Sequence, residues 1–384
     1  MWLFEFNLTS ACNLGCLYCS NDADAPTAGA MADSRVASAF VRRVVDYAAA
    51  RGLASLSVEF TGGEPFLNFT VMRQTMEDFS RLAPHLQVDW LIQTNFTAIS
   101  EEALKFLRPF NPRIGVSWDG YQEVQDRQRP FASGRGSHEK VLATVNRARE
   151  AGLEVRAAYC VLTAESVAHM TEITQFLLGH DMLRLVMEPV RPSGRARNKP
   201  QLVPDPITYA QQLLETCLHV ILPHYRETGV LVAERHLTLT LAHLMEPARR
   251  YMCSQAPCGA GRLISSTLPG GWVYPCNELP WPEDFRLGNV LQDGFAEMAA
   301  SEPAQRLRQR TPDKIEGCRD CFYRGWCHAR CSQGALFRHG KLLAPGFCCE
   351  FEKALCDVFL GALADGRLDP ASARLMANDV VGCI

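Results

Sequence analysis

Short apolar runs alternate with helical patterns through the first half of the chain. Apolar positions three and four residues apart predict helices over 33–50, 68–82, 100–109, 137–151 and 166–179. Strand-like runs precede, separate or follow them, at 2–8, 56–60, 88–93, 113–117, 154–162 and 183–187. Six strand–helix alternations indicate a parallel α/β architecture, and six units are too few to close an eight-stranded barrel. The pattern therefore predicts the α/β class, as a partial (β/α)6 TIM-like barrel with an open side.

The pattern changes in the second half of the chain. A loop is predicted over 191–204, and a long helical stretch follows over about 206–246. From Cys253 onward cysteine, glycine and proline become dense and helical periodicity weakens. We therefore predict three parts: the barrel at 1–200, a helical linker at 201–250 and a small cysteine-rich domain at 251–384.

Glycine and polar residues follow the predicted strands, where the active sites of β/α barrels lie. Gly62-Gly63-Glu64-Pro65 follows the second strand, Asn95 the third, Ser117 and Asp119 the fourth, and Glu188 the sixth. Two consecutive glycines lack Cβ atoms and let the backbone approach a ligand closely. The alternative is that these are ordinary turn residues, with Glu188 in a salt bridge to a neighbouring arginine.

The cysteines carry the strongest chemical signal. Cys12, Cys16 and Cys19 form a C-x3-C-x2-C loop directly after the first strand. Iron–sulfur clusters are held by thiolates in such close spacings, and three thiolates leave one corner of a metal site open. A closed structural zinc site needs four protein ligands, and no fourth Cys or His lies nearby in the sequence. A zinc knuckle completed from far along the chain remains the alternative.

A second group of cysteines lies in the C-terminal part. Eight of them are candidate metal ligands: Cys253, Cys258, Cys276, Cys318, Cys321, Cys327, Cys331 and Cys349. The turn Leu268-Pro269-Gly270-Gly271 lies between apolar runs and predicts a β-hairpin that presents Cys276. A pair of zinc ribbons is the alternative to iron–sulfur clusters here.

Composition and charge narrow the class of protein. The chain has 384 residues, 47% of them hydrophobic, and a formal net charge of -3, which gives no electrostatic case for nucleic acid or an anionic membrane. No apolar run approaches the length of a membrane span, and acidic Glu5 interrupts the apolar start, so no signal peptide is predicted. Sixteen cysteines without a secretory signal favour metal binding in a reducing, cytoplasmic setting.

The N-terminal cysteine loop, with Tyr18 before its last cysteine, resembles the signature of the radical S-adenosylmethionine (radical SAM) enzymes, and Gly62-Gly63-Glu64-Pro65 resembles a second motif of that family. The resemblance implies that Cys12, Cys16 and Cys19 bind a four-iron four-sulfur cluster. The amino and carboxylate groups of SAM would take its open iron. It also implies SAM-binding positions: Tyr18 near the adenine, backbone groups of Gly62, Gly63 and Glu64 at the amino group, Asn95 and Ser117 as further contacts, and Arg129 at the carboxylate.

The C-terminal cysteines resemble the signature of the SPASM domain, which extends peptide-modifying radical SAM enzymes and usually binds two auxiliary four-iron four-sulfur clusters. The resemblance implies one cluster on Cys253, Cys258, Cys276 and Cys331, and another on Cys318, Cys321, Cys327 and Cys349. Cys349 is preferred to the adjacent Cys348 because Cys349-Glu350-Phe351 resembles the usual ending of the motif. The expected cofactors are therefore SAM and three four-iron four-sulfur clusters.

The expected function is a maturase that takes a hydrogen atom from a ribosomally made peptide and forms an oxidative cross-link, as a thioether, carbon–carbon or ether bond. The alternatives are an anaerobic sulfatase-maturing enzyme that makes formylglycine, and a non-enzymatic iron–sulfur or zinc protein. In sulfatase-maturing relatives an Asp follows the hairpin cysteine and serves as the base. Here Asn277 stands there, and an amide cannot act as a general base. Glu278 is adjacent, but a shift of one residue in an extended segment points to the opposite side.

No catalytic residue is assigned from the sequence. The expected partners are the precursor peptide and an electron donor such as flavodoxin or ferredoxin, with no nucleic acid and no membrane. Only eleven residues precede Cys12, so we expect any leader-peptide recognition to come from the barrel or from a separate leader-peptide-binding protein.

Overall fold

The computed structural model describes residues 1–22, 29–245, 251–278 and 281–377 of the protein. The chain forms two compact units, each assembled from segments that are distant in sequence. The first unit comprises Met1–Ser117, Arg129–Val155 and Gly259–Gln309, and the second comprises Trp118–Gln128, Arg156–Cys258 and Arg310–Ile384. The division at 200 and 250, which was drawn from composition, stays a prediction.

Ten strands occur in the described part of the chain: β1 (Leu3–Thr9), β2 (Ser55–Gly62), β3 (Gln87–Thr94), β4 (Arg113–Ser117), β5 (Ala157–Leu162), β6 (Arg184–Pro189), β7 (Ala233–Glu234), β8 (Ile264–Thr267), β9 (Trp272–Tyr274) and β10 (Gly288–Asn289). In the first unit the strands are ordered β10-β9-β8-β1-β2-β3-β4. Strand β1 pairs in parallel with β2 and β8, and β8 pairs antiparallel with β9. In the second unit β5, β6 and β7 are parallel neighbours.

The α-helices of the described residues are α1 (Ser34–Arg51), α2 (Phe69–Leu82), α3 (Glu101–Leu107), α4 (Gln122–Gln128), α5 (His138–Glu150), α6 (Met170–Gly179), α7 (Pro206–Thr216), α8 (Leu222–Thr228), α9 (Arg235–Met245), α10 (Phe295–Ala300), α11 (Glu302–Arg308), α12 (Arg324–Cys327), α13 (Ser332–His339), α14 (Cys349–Ala364) and α15 (Pro370–Ala377). Within the ranges given above, no helix is both long enough and apolar enough to cross a membrane.

The predicted alternation of strands and helices is confirmed, and with it the α/β class. The six predicted strands correspond to β1–β6, and the helices predicted around them to α1, α2, α3, α5 and α6. The helical stretch predicted over about 206–246 contains α7, α8 and α9 and is not one continuous helix. Gly229 adopts a left-handed conformation at φ 72° and ends α8, and strand β7 then precedes α9.

The two faces of the first unit's sheet differ in chemistry. Phe6 stacks on Phe40 of α1 with ring centroids 4.6 Å apart, and Phe60 stacks on Trp90 at 5.6 Å, so this face is apolar and covered by helices. Because side chains alternate along a strand, the residues between them face the other way. This opposite side, which we call the inner face, carries Glu5, Asn7, Glu59, Thr61, Gln93 and Ser117. Such a polar face differs from the packed apolar interior of a closed TIM barrel and suits a polar ligand.

Candidate functional site

The cysteine loop begins where β1 ends. Cys12, Cys16 and Cys19 are all partly buried. The backbone N–H of Leu14 donates to Cys12 Sγ at 3.4 Å, and that of Cys19 donates to the Cys16 carbonyl at 3.4 Å. Burial raises the pKa of the Cys12 thiol to about 12, and the thiolates of Cys16 and Cys19 add to the rise. The three sulfurs are therefore neighbours whose ionised forms repel one another, and a bound cationic group would relieve this repulsion.

The Gly62-Gly63 turn packs against the backbone of this loop. The N–H of Gly63 donates to the Thr9 carbonyl at 2.7 Å, and the N–H of Glu64 donates to the Ala11 carbonyl at 2.8 Å. A Cβ on Gly63 would lie 2.0 Å from the Ala11 oxygen, and Gly62 has φ +133°. The glycines are therefore required for contact between two stretches of protein backbone. The Gly62 carbonyl accepts from Asn21 Nδ2 at 3.0 Å, so a further donor such as an ammonium group would use its second lone pair or the Gly63 carbonyl.

Glu64 is fully buried, and its side chain joins the ends of two strands. It accepts hydrogen bonds from Thr94 Oγ1 at 2.7 Å, from the N–H of Asn95 at 2.8 Å and from the N–H of Phe66 at 3.1 Å. Burial raises the pKa of Glu64 to about 7, although these three donors favour the carboxylate. The side chain thus positions the Gly62-Gly63 turn relative to β3.

Asn95 connects the end of β3 to the cysteine loop. Its Nδ2 donates to Asn13 Oδ1 at 2.9 Å and approaches Cys12 Sγ at 3.6 Å, while its Oδ1 accepts from the N–H of Thr97 at 2.9 Å. Hydrogen bonds to cysteine sulfur tune the reduction potential of a cluster. Asn13 was missed by sequence reasoning, although its place inside the cysteine motif was a usable signal.

Two of the residues predicted to bind SAM lie together. The Arg129 guanidinium lies over the Tyr18 ring, 5.3 Å from its centroid, and both residues are 7% exposed. Ser117 Oγ accepts from Gln93 Nε2 at 3.1 Å on the inner face. Gln93 was also missed, although a polar residue at an inner position of a predicted strand marks it.

Asp119 and Glu188, in the second unit, have structural partners. Asp119 accepts from the N–H of Val161 at 2.9 Å and from Gln128 Nε2 at 2.7 Å.

Glu188 accepts from Arg191 Nε at 2.8 Å and from Arg235 at 2.6 Å. Burial alone would raise its pKa, but Arg191, His236 and Arg235 hold the pKa of Glu188 well below its usual range. The salt-bridge alternative for Glu188 is therefore the one that the structure supports.

Seven of the eight candidate C-terminal ligands lie in the second unit, in two neighbourhoods. Cys253 is exposed, and the neighbouring thiolates of Cys258 and Cys331 raise its pKa. In the other neighbourhood, burial and the thiolates of Cys327 and Cys318 raise the pKa of Cys349 to about 12. The pKa of Cys318 is raised by burial, with a contribution from Cys321. The assignment of these cysteines to two sets of cluster ligands stays a prediction.

Cys348 and Cys349 face different neighbours. Burial raises the pKa of Cys348 well above its usual range, and Cys331 contributes while the Arg191 guanidinium lowers it. Cys349 instead interacts with Cys327 and Cys318. Of the two adjacent cysteines, Cys349 is therefore the one that lies near Cys318 and Cys327.

Cys276 belongs to the first unit and follows the β8–β9 hairpin, as predicted. Gly271 takes φ +84° in the turn, and a Cβ there would meet Asn289 Oδ1 at 2.7 Å. The next residue, Asn277, donates from Nδ2 to Thr61 Oγ1 at 3.3 Å and from its backbone N–H to the Glu5 carboxyl.

The side chains grouped on the cysteine loop and in the second unit are thiols, which are the ligands that iron–sulfur clusters use. These residues would hold the clusters that the sequence implies.

Comparison with known proteins agrees with this assignment. A model of the radical SAM superfamily matches residues 6–177, and a model of the SPASM iron–sulfur cluster-binding domain matches residues 258–322. A cysteine-type anaerobic sulfatase-maturating enzyme of Clostridium novyi is 23% identical over 342 residues, which are 84% of this chain and 85% of that enzyme. The antilisterial bacteriocin subtilosin biosynthesis protein AlbA of Bacillus subtilis is 25% identical over 340 residues, 84% of this chain and 65% of AlbA.

A solved structure shares the fold along almost the whole chain. It is that of native anSMEcpe with bound AdoMet and Cp18Cys peptide, with a TM-score of 0.79 and 20% identity, covering 95% of this chain and 98% of that one. At this identity the likeness establishes the fold alone.

Proposed function

Because the chain belongs to the radical SAM superfamily and carries a SPASM iron–sulfur domain, we propose that it is a maturase that forms an oxidative cross-link in a ribosomally made peptide. Cys12, Cys16 and Cys19 would hold a four-iron four-sulfur cluster, which would supply the electron for the reductive cleavage of SAM and so make hydrogen-atom abstraction possible. A peptide as the substrate fits the relatives, whose names include sulfatase maturation and bacteriocin biosynthesis.

The first unit's own residues would bind and orient SAM. Arg129 is suited to the SAM carboxylate because its planar guanidinium can pair with both oxygens, and Tyr18 holds it in place by contact with its ring. Backbone carbonyls of the Gly62-Gly63 turn are the acceptors for the SAM amino group. Ser117, held by Gln93, and Asn95, next to Cys12, offer further polar contacts.

The eight SPASM cysteines support an oxidative outcome. Joining two peptide positions removes two hydrogens. One leaves as the abstracted hydrogen atom, and the other leaves as a proton and an electron. An electron acceptor is therefore needed, and the thiols of the second unit would provide ligands for auxiliary four-iron four-sulfur clusters that could take this role.

Asn277 is the observation that separates cross-linking from formylglycine formation. Its side-chain amide donates to Thr61, and an amide has no basic lone pair to take a proton from a substrate thiol or hydroxyl. A cross-link does not need a base at this position, because the attacking group belongs to the peptide. Formylglycine formation on a sulfatase remains the second candidate, since the relatives include sulfatase-maturating enzymes.

Mass spectrometry of the product tests the proposal. The reconstituted enzyme is incubated with SAM, reductant and either a small peptide encoded beside its gene or a sulfatase peptide containing Cys. Cross-linking predicts a loss of two hydrogens with sulfur retained, and resistance to protease cleavage within the ring. Conversion of the sulfatase Cys to an aldehyde, with loss of sulfur and at the rate of SAM cleavage, would establish the second candidate instead.

We further propose that flavodoxin or ferredoxin donates the electron, and that a separate protein recognises any leader peptide. A reducing cytoplasmic setting is consistent with these partners. No disulfide joins any cysteines within the described ranges of the chain.

A further inference from the structure

Two acidic residues of the first unit lie near enough to Glu5 to interact with it electrostatically. Glu5 on β1 is the register partner of Glu59 on β2, and two such neighbours in parallel strands point to the same side of a sheet. Glu278, two residues after Cys276, is also close enough to Glu5 to interact with it electrostatically. We call these three residues the carboxyl cluster.

Two oxygen atoms at this cluster lack hydrogen-bond donors. Glu5 is only 6% exposed, and its Oε2 has no partner among the described residues. The Oδ1 of Asn277, the residue whose backbone N–H donates to the Glu5 carboxyl, is likewise buried without a partner. A buried acceptor left without a donor destabilises a fold, so such atoms in one place indicate a missing donor group.

The charge of the surroundings specifies what that donor should be. Burial raises the pKa of Glu5 well above its usual range, and the carboxylates of Glu59 and Glu278 add to the rise, while the backbone N–H of Asn277 opposes it. A positively charged donor would reverse this effect and satisfy both oxygens. A bare metal ion does not fit, because no three acidic, His or Cys side chains converge on a point among the described residues.

We propose that the carboxyl cluster, with Asn277 Oδ1, binds a cationic nitrogen group of the peptide substrate, the ammonium of a lysine or the guanidinium of an arginine. The inference rests on the proposed function for the nature of the substrate. This arrangement would make the first unit prefer peptide substrates that carry a lysine or an arginine near the residue that is modified. In this arrangement Asn277 contributes a neutral acceptor, its amide oxygen. An Asp at this position would instead place another carboxylate beside Glu5.

Ligand-detected NMR on the reconstituted full-length enzyme with SAM tests the inference. The probes are the Nα-acetyl methylamides of lysine, arginine and norleucine; norleucine is nearly isosteric with lysine but neutral. Charge-assisted hydrogen bonds predict that lysine or arginine binds about tenfold to a hundredfold more tightly than norleucine. Glu5→Gln should abolish this preference. Glu77→Gln, an equal charge change at an exposed position of α2, should retain it.

The ratio of the two basic probes identifies the cation. Equal binding of norleucine and both basic probes to the wild-type enzyme would overturn the inference, and this comparison requires no variant to fold. A preference that survives Glu5→Gln would overturn it as well. SAM cleavage is measured on the same samples. Cleavage without a preference for cations would defeat this inference alone, whereas loss of cleavage would count against the proposed function.

Discussion

Replacing Gly63 with alanine should disrupt the cysteine loop. The new Cβ would lie 2.0 Å from the Ala11 oxygen and 2.8 Å from the Ser10 oxygen, so the two backbones must separate by more than 1 Å to reach ordinary contact. That movement would weaken the hydrogen bonds from Gly63 to Thr9 and from Glu64 to Ala11. Overpacking costs about 1–3 kcal/mol, and two hydrogen bonds contribute about 1 kcal/mol each, so the expected loss is about 3–5 kcal/mol.

Anaerobic thermal unfolding, iron content and SAM cleavage measure the effect of Gly63→Ala. We expect a lower unfolding midpoint, loss of iron from the N-terminal site and loss of SAM cleavage. Gly179→Ala is the matched control, because its Cβ would meet no atom within 4 Å, and it should change stability by less than about 1 kcal/mol. If both variants unfold and cleave SAM alike, the close packing of the Gly62-Gly63 turn on the cysteine loop is refuted.

Three further predictions concern Cys349, Arg129 and Glu64. Cys349→Ser should remove one auxiliary cluster, seen as lost iron and a lost EPR signal, and Cys348→Ser should not; the reverse result would exchange their roles. Arg129→Met should weaken SAM binding by about tenfold or more in equilibrium dialysis, with partial recovery in Arg129→Lys, whereas unchanged affinity would remove Arg129 from the SAM site. Because the pKa of Glu64 is raised from 4.5 to about 7, the folded, SAM-free chain binds more protons than the unfolded chain between these values. Its contribution to stability should therefore fall by about 3 kcal/mol as pH rises through that window, and Glu64→Gln should reduce the slope of pH-dependent unfolding by that amount relative to the wild type; an unchanged slope would contradict the raised pKa.

The strands and the sites at their ends could be predicted because their signals are local. Alternating apolar residues specify β1 and β2, and the cysteine motif follows β1 directly, so the position of the motif at the end of a strand could be predicted. Helices α10–α15 were not predicted, since several are short and α14 begins within the cysteine motif, where cysteine, glycine and proline obscure the helical period.

The details that depend on pairing between distant segments could not be predicted. Gly63 was expected to make room for a ligand, but its neighbour is the Ala11 carbonyl, which only the pairing of β1 with β2 brings close. Glu5 was read as an interruption of an apolar run. Its burial beside Glu59 and Asn277 requires both the register of two strands and the return of the chain at β8 and β9.

SAM cleavage by the wild-type enzyme and by a variant with Cys12, Cys16 and Cys19 all replaced by alanine tests the central claim most directly. With dithionite, the reconstituted wild type should contain about twelve irons and produce deoxyadenosine. The variant should retain about eight irons and produce none. Deoxyadenosine formation by the variant, or its absence from the fully reconstituted wild type, would contradict the claim.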